Sequence, residues 1–337
     1  MFLPGWRNGR RRGLKIPRSQ GRVGSSPTPG TTTVMTMSPV RDNHVVALFP
    51  GQGSLVPGVG RPWASDKSWN VIHELSEVTN VDIAHLLLTA EHDEVVQTDN
   101  AQIATYALSL VGWDSYQRRM SSPAVFLGHS LGEFTALAAA GVIDYVSGAK
   151  LVQARGRAMK HANDVAPGTM AALMGGDDGA IARLGEIDDL WLANFNGEGQ
   201  TVVSGSLDAI TELERRGKEM GWRRVTRLKV GGAFHSPLMR PAQTELDNVL
   251  ATTTFHPTDA SVLANVDGST HNGGDVWRTL LSRQLTEPVQ FMSAVLSLSS
   301  DVTHSLEMPP GAILTGLTKR IRIFREQSCV EPIEEQL

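Results

Sequence analysis

The chain has 337 residues, a hydrophobic fraction of 41% and a formal net charge of −4 at pH 7. This length is sufficient for one large domain or two modest ones, and no apolar run reaches the roughly 18–20 residues that span a bilayer. The single cysteine, Cys329, excludes an internal disulfide framework, and the acidic balance does not favour a nucleic-acid-binding protein.

The N-terminal segment differs in composition from the rest of the chain. Its first 41 residues carry eight basic residues and no acidic one, and they are rich in Gly, Pro and Ser. This composition predicts a disordered basic extension over residues 1–43. One interpretation is a mitochondrial or plastid transit peptide. The stretch "GRVGSSPTPG" instead resembles a translated transfer-RNA gene, so we favour a start at Met35 or Met37 and a cytoplasmic location.

Strands and helices alternate in the segment that follows. Apolar runs and helical periodicity predict, in chain order, a strand at Val45–Phe49, helices at Ser68–Leu75 and Asn100–Arg118, a strand at Ala124–Leu127, and helices at Leu131–Ala140 and 146–162. This alternation predicts an α/β core with a mainly parallel sheet.

The pattern changes near residue 167. The predicted order is a strand at Thr169–Met174, a helix at Asp178–Ile187, strands at Leu190–Asn194 and Thr201–Ser204, a helix at Ser206–Met220 and a strand at Arg223–Val230. The order βαββαβ is that of a ferredoxin-like domain. We therefore predict a small domain over residues 167–231, inserted into a larger catalytic domain formed by residues 44–166 and 232–325.

The last segment returns to the alternating pattern. It predicts a helix after "GGAFHSPLM", a strand at Ser261–Asn265, a helix at Val276–Gln284, a strand near Val302–Glu307 and a helix at Ala312–Ile321. Residues 326–337 are predicted to be a frayed C-terminal tail.

One predicted turn carries a polar side chain between two glycines. The sequence Gly128-His129-Ser130-Leu131-Gly132 lies between a strand and a helix and has the spacing G-x-S-x-G. In this context the glycines permit a sharp turn, and the serine lies at a helix N-terminus whose unpaired N–H groups favour negative charge. The pentapeptide alone also fits a glycine-rich turn with a chance serine, but the flanking elements favour a nucleophile.

Seven segments occur in a recognisable order: FPGQGS, GHSLGEFTALAAAGVI, QARGRAM, ANFNGEGQTVVSG, AFHSPLM, RQLTEPVQF and GLTKRI. Over about residues 44–322 the chain resembles the malonyl-CoA:acyl carrier protein transacylases of fatty-acid and polyketide synthesis. This resemblance implies an α/β-hydrolase-like core with a ferredoxin-like insert, in agreement with the predicted element order. One departure is "LEMPPGAIL", because the family usually has Gly-Pro-Gly where Met308-Pro309-Pro310-Gly311 stand here.

The resemblance implies a Ser–His dyad. Ser130 would attack the thioester of malonyl-CoA and hold the malonyl group as an ester, with His235 as the base that removes its proton. No Asp stands at a suitable loop end, and the resemblance gives the backbone carbonyl of Gln284 as the group that orients the imidazole. It gives the N–H groups of Leu131 and Gln52 as the two oxyanion donors.

Three further residues are expected to contact the substrate. Arg155 lies on the apolar face of its predicted helix, where a charge is rarely left unpaired. It forms either an internal salt bridge, for example with Glu133, or a bidentate contact with the malonyl carboxylate, and the resemblance favours the second. Phe234 matches the "AFH" form that accompanies malonyl rather than methylmalonyl, and Asn196 either lines the channel or is a turn residue.

The implied substrates are malonyl-CoA and a phosphopantetheinylated acyl carrier protein, and no metal or bound cofactor is indicated. We expect a monomer that binds no nucleic acid or membrane. Seven basic residues near the end of the insert form either a solvated face or a site that attracts the carrier protein or CoA phosphates: Arg215, Arg216, Lys218, Arg223, Arg224, Arg227 and Lys229.

Three alternative functions remain open from the sequence. The first is the same chemistry in another pathway, as in a malonate decarboxylase subunit or a trans-acting polyketide acyltransferase. The second is a serine esterase or thioesterase with water as the acceptor, in which a buried Arg155 has no evident purpose. The third is a non-catalytic docking module. The presence of a nucleophile, a base and an arginine that can bind the malonyl carboxylate disfavours it.

Overall fold

The computed structural model describes residues 41–332, so the predicted N-terminal extension up to residue 40 lies outside the described residues. The strands are β1 (Asp42–Phe49), β2 (Pro123–Gly128), β3 (Gly168–Met174), β4 (Leu190–Gly197), β5 (Gln200–Ser206), β6 (Arg224–Arg227), β7 (Ser261–Leu263), β8 (Thr270–His271), β9 (His304–Glu307) and β10 (Glu326–Cys329).

Twelve α-helices lie in this described part of the chain. They are α1 (Asn70–Thr79), α2 (Ile83–Leu88), α3 (His92–Val95), α4 (Thr98–Gln117), α5 (Leu131–Ala139), α6 (Tyr145–Val165), α7 (Asp178–Arg183), α8 (Leu207–Arg216), α9 (Arg240–Leu250), α10 (Val276–Gln284), α11 (Phe291–Ser297) and α12 (Ile313–Ile321). Over residues 41–332, none of them combines the length and the apolar character that a membrane crossing requires.

The larger sheet has six strands in the order β10-β9-β1-β2-β7-β8. All neighbours are parallel except β7 and β8, which are antiparallel. Phe49 at the end of β1 lies opposite Gly128 at the end of β2, so the loops that follow these two strands are adjacent. In open α/β sheets, functional groups gather at this carboxyl edge.

The smaller sheet has four antiparallel strands in the order β4-β5-β3-β6. With α7 and α8 in the connections, this is the ferredoxin-like arrangement, so the predicted fold class of a mainly parallel core with a separate ferredoxin-like unit is confirmed. Two backbone hydrogen bonds join β4 to Val289, which follows α10. Phe195 N–H donates to the Val289 carbonyl at 2.9 Å, and Val289 N–H donates to the Ala193 carbonyl at 2.8 Å. The predicted domain boundaries stay a prediction.

The predicted frayed tail is wrong for its first residues. The strand β10 pairs in parallel with β9, and Cys329 lies opposite Glu307. The side chain of Gln327 donates to Thr318 Oγ1 at 2.8 Å, which also fixes the strand to α12. Because β10 is an edge strand with polar residues, its stability comes from backbone hydrogen bonds, and it carries no apolar alternation that a sequence pattern could detect.

Other differences concern short elements and element ends. The sequence patterns missed α2, α3, α11 and β8, which contain between two and seven residues and are too short for a clear period. The helix predicted at Asp178–Ile187 ends at Arg183 and continues as a 3-10 turn. The strand predicted at Ser261–Asn265 ends at Leu263, so Asn265 leaves the sheet at its carboxyl edge.

Candidate active site

Ser130 occupies the turn between β2 and α5, with φ of 53° and ψ of −108°. L-amino acids rarely adopt this conformation, and it is characteristic of strained turns at functional sites. A Cβ atom at Gly128 would overlap the backbone of Gly132, and one at Gly132 would overlap the carbonyl of Phe49. Both glycines are therefore required by the close approach of β1, β2 and α5.

His235 contacts Ser130 as the sequence predicted. Ser130 Oγ lies 2.8 Å from His235 Nε2, and His235 Nδ1 lies 2.6 Å from the carbonyl oxygen of Gln284. Because a carbonyl can only accept, Nδ1 carries the proton and Nε2 accepts from the serine hydroxyl. Burial and the positive charge of Arg155 lower the pKa of His235 to about 3, so the imidazole is neutral and able to take a proton.

Arg155 is fully buried in α6 and reaches the serine. Its Nη1 donates to Gln102 Oε1 at 2.6 Å, and its Nη2 donates to Gln284 Oε1 at 3.0 Å and to Ser130 Oγ at 3.1 Å. No carboxylate of residues 41–332 forms a salt bridge with it, so the ion pair with Glu133 that spacing alone allowed is absent from these residues.

Neutral amide oxygens thus hold the charged group of Arg155. Burial lowers its pKa to about 9, which leaves it cationic at neutral pH. Its Nε atom is buried and has no hydrogen-bond partner among residues 41–332, and its guanidinium carbon lies 5.3 Å from the centroid of the Phe134 ring. A buried cation without a paired anion is costly, and a site of this kind favours a ligand that brings a carboxylate.

Sequence reasoning missed the residues that support the turn. Asn265 Oδ1 accepts the Ser130 N–H at 2.6 Å, and Asn265 Nδ2 donates to the Gly128 carbonyl at 2.7 Å. The side chain of Gln284, predicted only for its carbonyl, donates to the Ser130 carbonyl at 2.9 Å. A polar residue just after a buried parallel strand is the signal that could have identified Asn265.

The two predicted oxyanion donors lie in adjacent loops. Leu131 is the first residue of α5, so its N–H has no partner within the helix. Gln52 begins a 3-10 turn after β1, and a Cβ at neighbouring Gly51 would lie 3.0 Å from the carbonyl oxygen of His129. The loops therefore meet at the elbow, and the oxyanion role of both N–H groups stays a prediction.

Asn196 and Phe234 are both buried. Asn196 lies within β4, which corrects the turn interpretation, and its Oδ1 lies 2.9 Å from Nε2 of His129, the residue before the serine. The Phe234 ring packs against Gly232, and its carbonyl accepts from Ser204 Oγ. Their predicted roles, in lining the channel and in restricting an α-methyl group, stay predictions.

Three residues of the basic run are paired within the insert. Salt bridges join Arg215 to Glu212 at 2.7 Å, Arg216 to Glu186 at 2.6 Å and Arg227 to Glu214 at 2.7 Å. This favours a solvated face for these three. Attraction of a carrier protein or of CoA phosphates by the other four, Lys218, Arg223, Arg224 and Lys229, stays a prediction.

The segment Met308-Pro309-Pro310-Gly311, which departs from the family pattern, packs beside the loop after β1 that contains Gln52. Met308 N–H donates to the Leu48 carbonyl at 2.9 Å, and a Cβ at Gly112 in α4 would overlap the ring of Pro309. A Cβ at Gly311 would lie 3.6 Å from Ser54 Oγ. The Met-Pro-Pro-Gly segment therefore packs against the end of β1 and against α4, and Gly311 lies close to Ser54 of the 3-10 turn that begins at Gln52.

Comparison with known proteins identifies the family of this chain. Residues 46–327 match the acyl transferase domain family. The chain is 36% identical over 284 residues to the malonyl-CoA–acyl carrier protein transacylase of Escherichia coli strain K12, which covers 81% of this chain and 91% of that protein. An acyl carrier protein S-malonyltransferase from Vibrio cholerae superposes with a TM-score of 0.81 at 34% identity, over 86% of this chain and 98% of the other.

A second solved structure is a type II polyketide synthase acyl carrier protein in complex with its malonyl transacylase. It superposes with a TM-score of 0.81 at 31% identity, over 86% of this chain and 97% of the other. The domain match extends over most of the chain, and the sequence similarity extends over most of the bacterial transacylase. This chain therefore belongs to the acyl transferase domain family, among the malonyl-CoA–acyl carrier protein transacylases.

Proposed function

We propose that this protein transfers the malonyl group from malonyl-CoA to the phosphopantetheine thiol of an acyl carrier protein, and that it supplies fatty-acid synthesis in the cytoplasm. The names of its relatives support the reaction class. One observation carries the choice of acyl group: a fully buried, cationic Arg155 lies 3.1 Å from Ser130 Oγ and is held only by neutral side chains. Its charge is available for the free carboxylate of a malonyl group.

In the first half-reaction, Ser130 Oγ attacks the thioester carbonyl carbon and gives its proton to His235 Nε2. The carbonyl oxygen becomes an oxyanion, which the N–H groups of Leu131 and Gln52 would stabilise. The intermediate then collapses, the carbon–sulfur bond breaks, and the CoA thiolate takes the proton from His235. The product is a malonyl ester on Ser130 and free CoA.

In the second half-reaction, the carrier thiol replaces CoA. It gives its proton to His235 and attacks the ester carbonyl carbon, so that a new carbon–sulfur bond forms. Collapse then releases Ser130 Oγ, which recovers the proton. Each half-reaction moves one proton onto His235 and off again, and the Gln284 carbonyl holds the imidazole in the required tautomer throughout.

A serine esterase or thioesterase is the rival of another class, with water as the acceptor in the second half-reaction. Arg155 argues against it, because a general esterase gains nothing from a buried cation beside its nucleophile. The transfer of malonyl groups to a polyketide or malonate decarboxylase carrier involves the same site chemistry, so the identity of the carrier distinguishes these pathways.

The experiment that tests the proposal uses radiolabelled malonyl-CoA with and without a phosphopantetheinylated acyl carrier protein. We expect rapid labelling of the enzyme in both reactions and transfer of the label to the carrier only where it is present. Release of free malonate at the same rate with and without the carrier would identify a thioesterase. The same assay with acetyl-CoA measures the preference for an acyl group that bears a carboxylate.

A further inference from the structure

Glu133 is a buried carboxylate in the elbow helix that takes no part in the steps above. It is 1% exposed and lies in the first turn of α5, three residues after Ser130. Its Oε1 accepts the backbone N–H of Asn265 at 2.7 Å, and its Oε2 accepts a hydrogen bond from the side-chain amide of Gln284. One carboxylate therefore joins α5 to the segment after β7 and to the end of α10.

The two residues that this carboxylate contacts hold the reacting groups. Asn265 accepts the Ser130 N–H at 2.6 Å, and the Gln284 amide donates to the Ser130 carbonyl at 2.9 Å. The Gln284 amide oxygen accepts from Arg155 at 3.0 Å, and its backbone carbonyl accepts from His235 at 2.6 Å. Movement of the Glu133 carboxylate therefore affects the positions of all three groups at the reaction centre, which are the nucleophile, the base and the guanidinium of Arg155.

The ionised form of Glu133 is the form that fits these contacts. Both oxygens accept from N–H groups, whereas a protonated acid would direct its O–H at one of the two donors. Burial raises its pKa to about 8, and the hydrogen bonds and the charge of Arg155 act in the opposite direction. The other charged or titratable groups nearby are Asp267, which raises it further, and His129 and His235, whose own pKa values burial lowers.

We infer that Glu133 is a positioning residue for acyl transfer: its ionised carboxylate holds Asn265 and Gln284 and, through them, the serine, the histidine and the arginine. The inference rests on the proposed function, since it concerns the same site. It differs from the role of Arg155 in one measurable respect. Loss of Glu133 impairs transfer of every acyl group, whereas loss of Arg155 impairs only acyl groups that carry a carboxylate.

The test compares wild type with Glu133→Gln, which has the shape and hydrogen-bonding pattern of the protonated acid. We expect the wild-type kcat for malonyl transfer to rise as the pH passes about 8, because the ionised fraction rises. Glu133→Gln should lack this rise. At about pH 8.5, where most of Arg155 is still cationic because its pKa is about 9, the kcat of Glu133→Gln should be about ten- to a hundred-fold below wild type for malonyl-CoA and acetyl-CoA alike, with a smaller change in KM. This range is common for residues that orient the ligands of a metal site.

Two further variants separate positioning from stability. Glu307→Gln is the matched control, because Glu307 is also fully buried, both its oxygens accept backbone N–H groups, from Leu314 and Thr315, and burial also raises its pKa. Glu307→Gln should lower the melting temperature but keep the rise of kcat with pH. Gln284→Met keeps the backbone carbonyl, and adding Glu133→Gln to it should lower kcat by a smaller factor than Glu133→Gln does in wild type, because part of the effect of Glu133 acts through the Gln284 amide.

The outcomes are distinct. If wild type is active but its kcat does not rise near pH 8, the inference is overturned. A Glu133→Gln variant with wild-type kcat at high pH overturns it as well. Independent, multiplicative losses from Glu133→Gln and Gln284→Met overturn it as well. If Glu133→Gln does not fold, the wild-type pH profile decides. A wild type that transfers another acyl group but no malonyl group rejects the proposed function alone, and the same comparison is then made with that acyl group.

Discussion

Ser130 Oγ and His235 Nε2 lie 2.8 Å apart, and both residues have a positive φ, of 53° and 58° respectively. Residues other than glycine that are held in such backbone regions typically cost about 1–3 kcal/mol each. Asn265 accepts a hydrogen bond from the Ser130 N–H and Gln284 donates one to the Ser130 carbonyl, and these two bonds hold the serine turn in this conformation. The contact between the two reacting groups is therefore maintained at the expense of backbone strain.

Replacement of Ser130 should separate its chemistry from this strain. Ser130→Ala and Ser130→Gly should both abolish acyl-enzyme formation and transfer, because neither has a hydroxyl. Glycine tolerates a positive φ, so Ser130→Gly should have a free energy of unfolding about 1 kcal/mol above that of Ser130→Ala. Intact mass spectrometry with malonyl-CoA tests the chemistry, and denaturant unfolding tests the strain. A malonyl adduct on either variant would contradict the assignment of the nucleophile.

His235→Ala should slow acylation by at least about 10²–10⁴-fold, the usual contribution of general acid–base catalysis, with little effect on binding. The base is the neutral imidazole, and its pKa is lowered to about 3 by burial and by Arg155. In Glu133→Gln, which lacks the titration of Glu133, kcat/KM should therefore stay constant between about pH 7 and pH 5 and fall only in more acidic solution. Stopped-flow acylation across this range is the measurement. A fall centred near pH 6 would mean that the imidazole titrates as an exposed histidine does.

The sequence allowed prediction of features that depend on local pattern. The G-x-S-x-G spacing placed Ser130 between a strand and a helix, and the apolar runs indicated β1 and β2. The resemblance supplied the Gln284 carbonyl and His235, which lie far from Ser130 in sequence. The structure shows these placements and contacts. They were accessible because each depends on residues that are close in sequence or on several motifs that occur in a fixed order.

The polar side chains behind the site were not predictable in the same way. Gln102, Glu133 and Asn265 come from α4, α5 and the segment after β7, and only tertiary packing brings them together. Each is a single polar residue in an apolar surrounding, a signal that is equally compatible with an exposed position. The prediction of a frayed tail was wrong for its first residues for a related reason. The strand β10 depends on backbone pairing with β9 rather than on its side-chain pattern.

Gln102→Glu should reduce the preference for malonyl-CoA. The new carboxylate would replace an amide oxygen that lies 2.6 Å from Arg155 Nη1, and it would pair with the charge that the malonyl carboxylate needs. We expect kcat/KM for malonyl-CoA to fall by at least about tenfold, which corresponds to about 1.4 kcal/mol, with little change for acetyl-CoA. Gln102→Met, which is similar in size and uncharged, is the control and should affect both substrates equally. An unchanged malonyl preference in Gln102→Glu would show that Arg155 keeps its charge available.

Arg155→Ala distinguishes a malonyl transferase from a general acyltransferase most directly. The variant leaves the malonyl carboxylate in a buried site without its partner, and truncation of one member of a buried charge pair costs on the order of 3–5 kcal/mol. The kcat/KM for malonyl-CoA should therefore fall by roughly two to four decades. Acetyl-CoA has no carboxylate and should lose little, so the variant should shift towards neutral acyl groups. Steady-state kinetics with both thioesters measure the shift.

The structure also predicts how Arg155→Ala affects stability. Arg155 has no salt bridge to any carboxylate of residues 41–332, and the variant removes a buried charge together with its hydrogen bonds to Gln102 and Gln284. These two effects oppose each other, so the melting temperature should stay close to that of wild type. Arg157→Ala is the control, because Arg157 lies exposed on the same helix, α6, and should change neither substrate preference nor stability. Equal losses for malonyl-CoA and acetyl-CoA, with a large fall in melting temperature, would identify Arg155 as a structural residue and would remove the main support for malonyl specificity.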